Sequence, residues 1–130
     1  MISKLSILIP TYNKVCLGLV ESLQAQASLL SDFHYEIIVA DDGSTDNSTI
    51  EANKAINKLP NCQYIERNIN IGRAAIRNFL AQEAKYDWLL YIDSNMSVVS
   101  NDYIAKYHSC KEHDVIYGGY KSAFLKFLGS

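Results

Sequence analysis

Short apolar runs alternate along the chain with stretches in which apolar residues recur every three or four positions. The stronger runs are nearly continuous rather than alternating, which is typical of strands covered on both faces of a sheet. They predict five strands, at residues 5–9, 35–40, 62–65, 88–92 and 115–117. The spaced stretches predict helices at residues 15–30, 46–58 and 72–84, and a fourth helix that begins near its cap, Asn101.

The predicted order alternates strictly, β-α-β-α-β-α-β-α-β, with no element expected over residues 121–130. Such alternation predicts an α/β fold, in which a mainly parallel, doubly wound sheet carries helices on both faces. The chain has 130 residues and no linker or repeat, which predicts a single domain over residues 1–130. Ligands of these sheets bind at the carboxyl ends of the strands, and polar residues follow each of the first four predicted strands.

The loop after the second predicted strand carries two adjacent carboxylates. Gly43 suits a turn with positive φ, and Ser44 or Asp46 can cap the following helix. One interpretation is that these polar residues only build the turn and the cap, a role that Asp41 fits. Because adjacent carboxylates repel each other and a cap needs only one, Asp42 is the better candidate for a ligand. Its carboxylate can accept from the N–H of a pyrimidine base or from a ribose hydroxyl.

Three short oxygen-bearing side chains, Asp93, Ser94 and Asn95, follow the fourth predicted strand. They can hold a hard divalent cation such as Mg²⁺ or Mn²⁺ against a phosphate, because these ions prefer oxygen ligands. All three residue types also form turns, so a strand-ending turn is the alternative interpretation. Asn95 is neutral, so a metal ion here would depend on Asp93 and on the charge of the ligand.

Two arginines lie four residues apart at the start of the third predicted helix. Arg73 and Arg77 therefore project from one side of that helix, where they can meet a phosphate or the carbonyl edge of a base. Arg73 is interpreted as a surface residue rather than a site residue. Lys14, after the first strand, is likewise interpreted as exposed.

Composition and motifs exclude several classes of protein. The net charge of −2 provides no general attraction for nucleic acid. The three cysteines show no C-x-x-C spacing, so neither a disulfide framework nor a zinc site is expected. Neither a P-loop, a G-x-G-x-x-G fingerprint nor a G-x-S-x-G nucleophile elbow occurs. The apolar run at residues 5–9 is too short for a signal peptide or a membrane span, so a cytoplasmic protein is expected.

Four segments together resemble the successive signatures of glycosyltransferase family 2. They are SILIPTYN at residues 6–13, EIIVADDGSTD at 36–46, NIG at 70–72 with RN at 77–78, and LYIDSN at 90–95. The resemblance implies the GT-A fold, a nucleotide-sugar donor that is often linked to uridine diphosphate (UDP), and inversion at the anomeric carbon. It also implies that this chain is the donor-binding part, with the acceptor-binding half absent.

The resemblance also assigns candidate site residues. Pro10, Thr11 and Tyr12 would line the base, with Tyr12 packing on it. Asp42 would bond to a uracil-type ring, and Arg77 would help to hold it. Asp93 and Asn95 occupy the two aspartate positions of the family's D-x-D motif. In the family, the first of these lies near the ribose and the metal, and the second is the usual direct ligand of the metal.

The sequence departs from the family pattern in two respects. Asn95 stands where the family has an aspartate, which weakens the attraction for a divalent metal. No acid after it matches the family's general base, so the catalytic residue is unassigned.

Two other functions compete with this interpretation. The chain could be a non-catalytic glycosyltransferase-like module for binding or subunit interaction, and a clean oligomer without nucleotide affinity would favour that reading. A sugar-phosphate nucleotidyltransferase would need a glycine-rich basic loop after the first strand, which the chain lacks. The sugar, the acceptor (glycan, lipid or protein) and the oligomeric state are left open. Membrane contact is expected only at the cytoplasmic face and through a segment beyond Ser130.

Overall fold

The computed structural model describes residues 2–97, 101–109, 116–118 and 122–126. The strands are β1 (Lys4–Thr11), β2 (His34–Asp42), β3 (Cys62–Arg67), β4 (Trp88–Tyr91), β5 (Ile116–Gly118) and β6 (Ser122–Lys126). The helices are α1 (Leu17–Ser28), α2 (Asn47–Asn53) with a 3₁₀ turn over Lys54–Lys58, α3 (Arg73–Glu83) and α4 (Tyr103–His108). In the described part of the chain, no helix has both the length and the apolar character needed to cross a membrane.

All six strands form one sheet, in the order β3-β2-β1-β4-β6-β5. The first four strands along the chain are parallel: β1 pairs with β2 and β4, and β2 pairs with β3. The chain runs outward from β1 to β3 and then crosses to the other side of β1 to form β4. Ligand crevices of open α/β sheets lie at such a reversal of strand order. The predicted mainly parallel α/β sheet is confirmed.

Both faces of the sheet are covered by helices. On one face, Leu5, Ile7 and Ile9 of β1 pack in a buried cluster with α1, α2 and α4. On the other face, Leu8 belongs to a second buried cluster, which α3 covers with Ile76 and Leu80. The side chains of residues 7–9 therefore meet apolar neighbours on alternate faces, which explains why this run of β1 is apolar rather than alternating.

Several predicted elements differ from the structure. Residues 121–130 were expected to hold no element, but β6 lies there and pairs antiparallel with β4 and β5. Its apolar run, residues 123–125, is too short to show a period, and its partner strands supply its hydrogen bonds. Helix α4 follows Asp102 rather than Asn101. The helix expected over residues 46–58 divides into α2 and the 3₁₀ turn, and residue 115 of the fifth predicted strand lies outside the described residues.

A buried asparagine connects α2 to the loop after β1. Asn53 is fully buried. Its Oδ1 accepts from the backbone N–H of Cys16 at 2.9 Å, and its Nδ2 donates to the carbonyl oxygen of Lys14 at 2.9 Å. Since buried polar groups are costly when unpaired, this side chain fixes the path of the loop at the carboxyl end of β1.

Replacing Asn53 should therefore destabilise the fold. Asn53→Ala leaves the buried Cys16 N–H without its acceptor, and we expect the free energy of unfolding to fall by about 1–3 kcal/mol in urea denaturation. Asn47→Ala is the matched control, because Asn47 lies on the same helix, is exposed and makes no side-chain hydrogen bond within the described residues. Equal losses for the two variants would contradict this role.

Candidate functional site

One cleft opens at the carboxyl ends of β1, β2 and β4, beside the first two turns of α3. Its volume is about 270 Å³. It is lined by Pro10, Thr11, Tyr12, Asp42, Arg73, Ile76, Arg77, Ile92, Asp93, Ser94 and Asn95. Every site residue named from the sequence is in this set. The structure therefore brings together four loops that are far apart in the sequence.

The carboxylate of Asp42 joins two of these loops. Asp42 ends β2 and is 6% exposed. Its two oxygens accept from the backbone N–H groups of Ile71 and Gly72, at 2.8 and 3.1 Å. We expected this carboxylate to be available for a ligand, and neither bond was predicted from the sequence. Each carboxylate oxygen has a second lone pair. Asp42 can therefore hold the loop and still accept a hydrogen bond from a ligand in the cleft.

The neighbouring residues give this loop its shape. Asp41 builds the turn as expected: its Oδ1 accepts from the N–H of Ser44 at 2.7 Å, and the hydroxyl of Tyr64 donates to its Oδ2. Gly43 has a φ of +76°, and a Cβ added there would lie 2.6 Å from the backbone N of Asn70. Only glycine fits, because the loop before α3 passes directly against it.

The loop after β1 is held by Asn13, for which the sequence predicted no role. Asn13 adopts a φ of 50°, which asparagine tolerates better than most residues. Its Oδ1 accepts from the N–H groups of Thr45 and Asp46, at 2.9 and 3.1 Å. Its own N–H donates to the hydroxyl of Ser44 at 2.7 Å. These bonds fix the backbone beside Tyr12, whose side chain lines the cleft and is 48% exposed.

Helix α3 contributes two cations. Arg73 is exposed, as expected for a surface residue, and it also lines the cleft. Arg77 lies one turn further on, and its guanidinium carbon is 4.2 Å from the centroid of the Tyr91 ring. Two carboxylates, Asp42 and Asp93, line the same cleft, so the site combines both signs of charge.

The segment after β4 offers oxygen atoms for a cation. Oδ1 of Asp93 accepts from the backbone N–H of Asn95 at 2.8 Å, so the residues also form the turn that was the alternative interpretation. Within residues 2–97 and 101–109, no group of three His, Cys, Asp or Glu side chains is placed to hold a metal. The donors present, a carboxylate and an amide oxygen, fit a hard divalent cation that takes its remaining ligands from a bound phosphate and water.

A buried thiol near the cleft carries no chemistry. Burial raises the pKa of Cys16 to about 11; a hydrogen bond to Thr11 lowers it in part, and the charge of Asp41 adds a smaller upward effect. The thiol therefore stays protonated at neutral pH and is not a nucleophile.

Comparison with known proteins identifies the family. A family model, Glycosyl transferase family 2, matches residues 6–119. The chain belongs to glycosyl transferase family 2. This family 2 chain is 37% identical over 113 residues to the poly(ribitol-phosphate) beta-glucosyltransferase of Bacillus spizizenii, covering 85% of this chain and 18% of that protein. It is 34% identical over 98 residues to the chondroitin synthase of Escherichia coli, covering 75% of this chain and 14% of that protein. The chain thus spans less than a fifth of either relative.

Solved structures of the family share the fold. The crystal structure of S. aureus TarS 1-349 matches this family 2 chain with a TM-score of 0.63 and 28% identity, covering 82% of this chain and 31% of that one. A second crystal structure of TarS 1-349, in complex with UDP-GlcNAc, matches with the same TM-score. The GT-A fold implied by the sequence resemblance is confirmed.

The contact at Gly43 can be tested directly. In Gly43→Ala, the positive φ and the clash with the backbone of Asn70 should lower the free energy of unfolding by more than about 1 kcal/mol. Gly18→Ala is the control: it adds the same methyl group in α1, with nothing within 4 Å, and should be neutral or slightly stabilising. Urea denaturation of both variants measures the difference. Similar stabilities for the two would show that the loop before α3 is not packed against Gly43.

Proposed function

We propose that this family 2 chain binds a nucleotide-activated sugar, linked to UDP, in the cleft and forms the donor side of an inverting sugar transfer. The main support is that all seven residues assigned from the family resemblance line one cleft. That cleft lies where the strand order reverses. The match to TarS, which has been crystallised with UDP-GlcNAc, supports this class of donor.

The base and ribose would lie between β1 and α3. The half-exposed ring of Tyr12 offers a face on which a base can stack, above the fixed backbone of Pro10 and Thr11. Asp42 would accept from a ring N–H, which a uracil has beside two carbonyl groups. Arg77 would donate to one of those carbonyls. With Asp42 as the acceptor and Arg77 as the donor, the site favours uracil over cytosine. The ring nitrogen that would face Asp42 carries a hydrogen in uracil but none in cytosine.

The diphosphate would lie towards the end of β4. Oxygen atoms of Asp93 and Asn95 would hold Mg²⁺ or Mn²⁺ there, and the ion, when bound, neutralises the charge of the departing diphosphate. Because these residues bring only one negative charge, we expect metal and diphosphate to bind together rather than the metal alone. Arg73, at the rim of the cleft, would add positive charge for the same anion.

The acceptor would be a hydroxyl group of a surface polymer. The names of the two relatives described above, a poly(ribitol-phosphate) beta-glucosyltransferase and a chondroitin synthase, support this class. We assign no general base and no acceptor residue within this chain. The cytoplasmic location stays a prediction.

Binding of UDP tests the site. We expect Asp42→Asn and Arg77→Ala each to weaken UDP binding about tenfold or more in isothermal titration, because each removes a charged hydrogen-bonding group. Glu21→Gln and Arg67→Ala are matched controls, since neither residue lines the cleft. If the wild-type chain binds UDP and both cleft variants bind it equally well, the assignment of the site is wrong. A clean oligomer that binds no UDP would instead support the non-catalytic module.

The metal site has its own test. Mn²⁺ should strengthen UDP binding by the wild-type chain, and Asp93→Asn should reduce that gain because it removes the site's only proposed anionic ligand. Uridine, which lacks the diphosphate, serves as the control ligand, and Mn²⁺ should leave its affinity for both proteins unchanged. An equal gain from Mn²⁺ in UDP binding by the wild-type and Asp93→Asn proteins would show that Asp93 does not hold the metal.

A further inference from the structure

An aromatic side chain outside the cleft holds one of its cations. Tyr91 ends β4, is 6% exposed and is not among the residues lining the cleft. Its ring lies under the Arg77 guanidinium, 4.2 Å from ring centroid to guanidinium carbon. Its hydroxyl donates to the backbone carbonyl of Arg77 at 3.1 Å. Burial raises the pKa of Tyr91, so this hydroxyl keeps its proton.

The ring is itself fixed by the core. Tyr91 belongs to the buried cluster beneath α3, together with Leu8, Ile38 and Ile76. An arginine side chain has many rotamers, and stacking on a fixed ring selects among them at little further cost. The guanidinium carbon lies over the ring. A guanidinium carries five N–H donors in a rigid fork, so those that do not meet the ring remain available to a ligand in the cleft.

We propose that Tyr91 is a positioning residue for nucleotide binding: its ring holds the Arg77 guanidinium in the orientation that meets the base. This inference rests on the proposed function. A cation over an aromatic face changes an equilibrium by a factor of about 2 to 30, depending on how well the pair is shielded from water. Arg77 is half-buried, so the effect of the ring should fall between these limits.

The chain contains a matched pair away from the cleft. The guanidinium carbon of Arg67 lies 4.0 Å from the centroid of the Phe79 ring, and neither residue lines the cleft. Phe79 lies on α3, like Arg77, and packs against the same buried cluster. Replacing Phe79 by leucine therefore removes a cation–π pair similar to that of Arg77 and Tyr91, together with apolar packing, but changes no residue of the proposed site.

The test measures UDP affinity and thermal stability together. Tyr91→Phe keeps the ring and should bind UDP within about twofold of wild type. Tyr91→Leu keeps an apolar side chain without a π face and should weaken binding about five- to tenfold. Phe79→Leu should lower the melting temperature but leave UDP affinity unchanged. Wild-type affinity in Tyr91→Leu would overturn the inference, whereas no UDP binding by the wild-type chain would overturn the proposed function itself.

A double-mutant cycle separates positioning from general core packing. In the Arg77→Ala background, Tyr91→Leu should cause no further loss of UDP affinity, because the ring no longer has a guanidinium to hold. An equal loss in both backgrounds would show that Tyr91 acts only through the core.

If Tyr91→Leu does not fold, a ring series replaces it. The series places phenylalanine, and then phenylalanines with more and more fluorine atoms on the ring, at position 91. The ring keeps nearly the same shape, but each fluorine weakens the attraction of the ring face for a cation. UDP affinity should fall stepwise with fluorination, and a flat series would overturn the inference.

Discussion

The position of α3 depends on one carboxylate. Asp42 ends a central parallel strand and accepts from two consecutive backbone N–H groups immediately before the helix. Gly43 allows that backbone to approach to a distance that no side chain permits. Because α3 supplies one wall of the cleft and both of its arginines, this contact fixes the site as well as the fold.

The other wall is held by polar groups of the same kind. Asn13 bonds to the backbone that begins α2, and Asn53 bonds from the end of α2 back to the loop after β1. Hydrogen bonds at both ends of α2 therefore hold the loop that carries Tyr12. The hydrophobic effect drives the packing of the helices on the sheet but is not directional. The positions of the loops are therefore determined by these hydrogen bonds.

The sequence predicted the parts of this molecule that depend on local pattern. The four parallel strands and the helices between them follow from apolar runs, since β1 and β4 are buried on both faces. The cleft follows from the rule that parallel strands end together, and the resemblance to family 2 named the residues in it. The binding roles of these residues stay predictions.

What the sequence did not predict depends on contacts between distant residues. The bonds of Asn13 and Asn53 join positions more than thirty residues apart, and nothing in the local pattern distinguishes these asparagines from ordinary turn residues. The place of Arg73 in the cleft lining was not predicted, because the helical pattern shows which side of α3 is apolar and not which polar side borders a cleft. Strand β6 was missed because its pairing with β4 comes from the tertiary fold rather than from its own short sequence.

A titration of the ¹⁵N-labelled chain with UDP and Mg²⁺, followed by amide chemical shifts, tests the central claim most directly. A nucleotide held by four loops at once should shift the amides of residues 11–13, 42–43, 71–77 and 93–95 together, with one dissociation constant. Shifts confined to one of these segments, or found instead near residues 33–38 and 59–63 at the opposite end of the sheet, would contradict it.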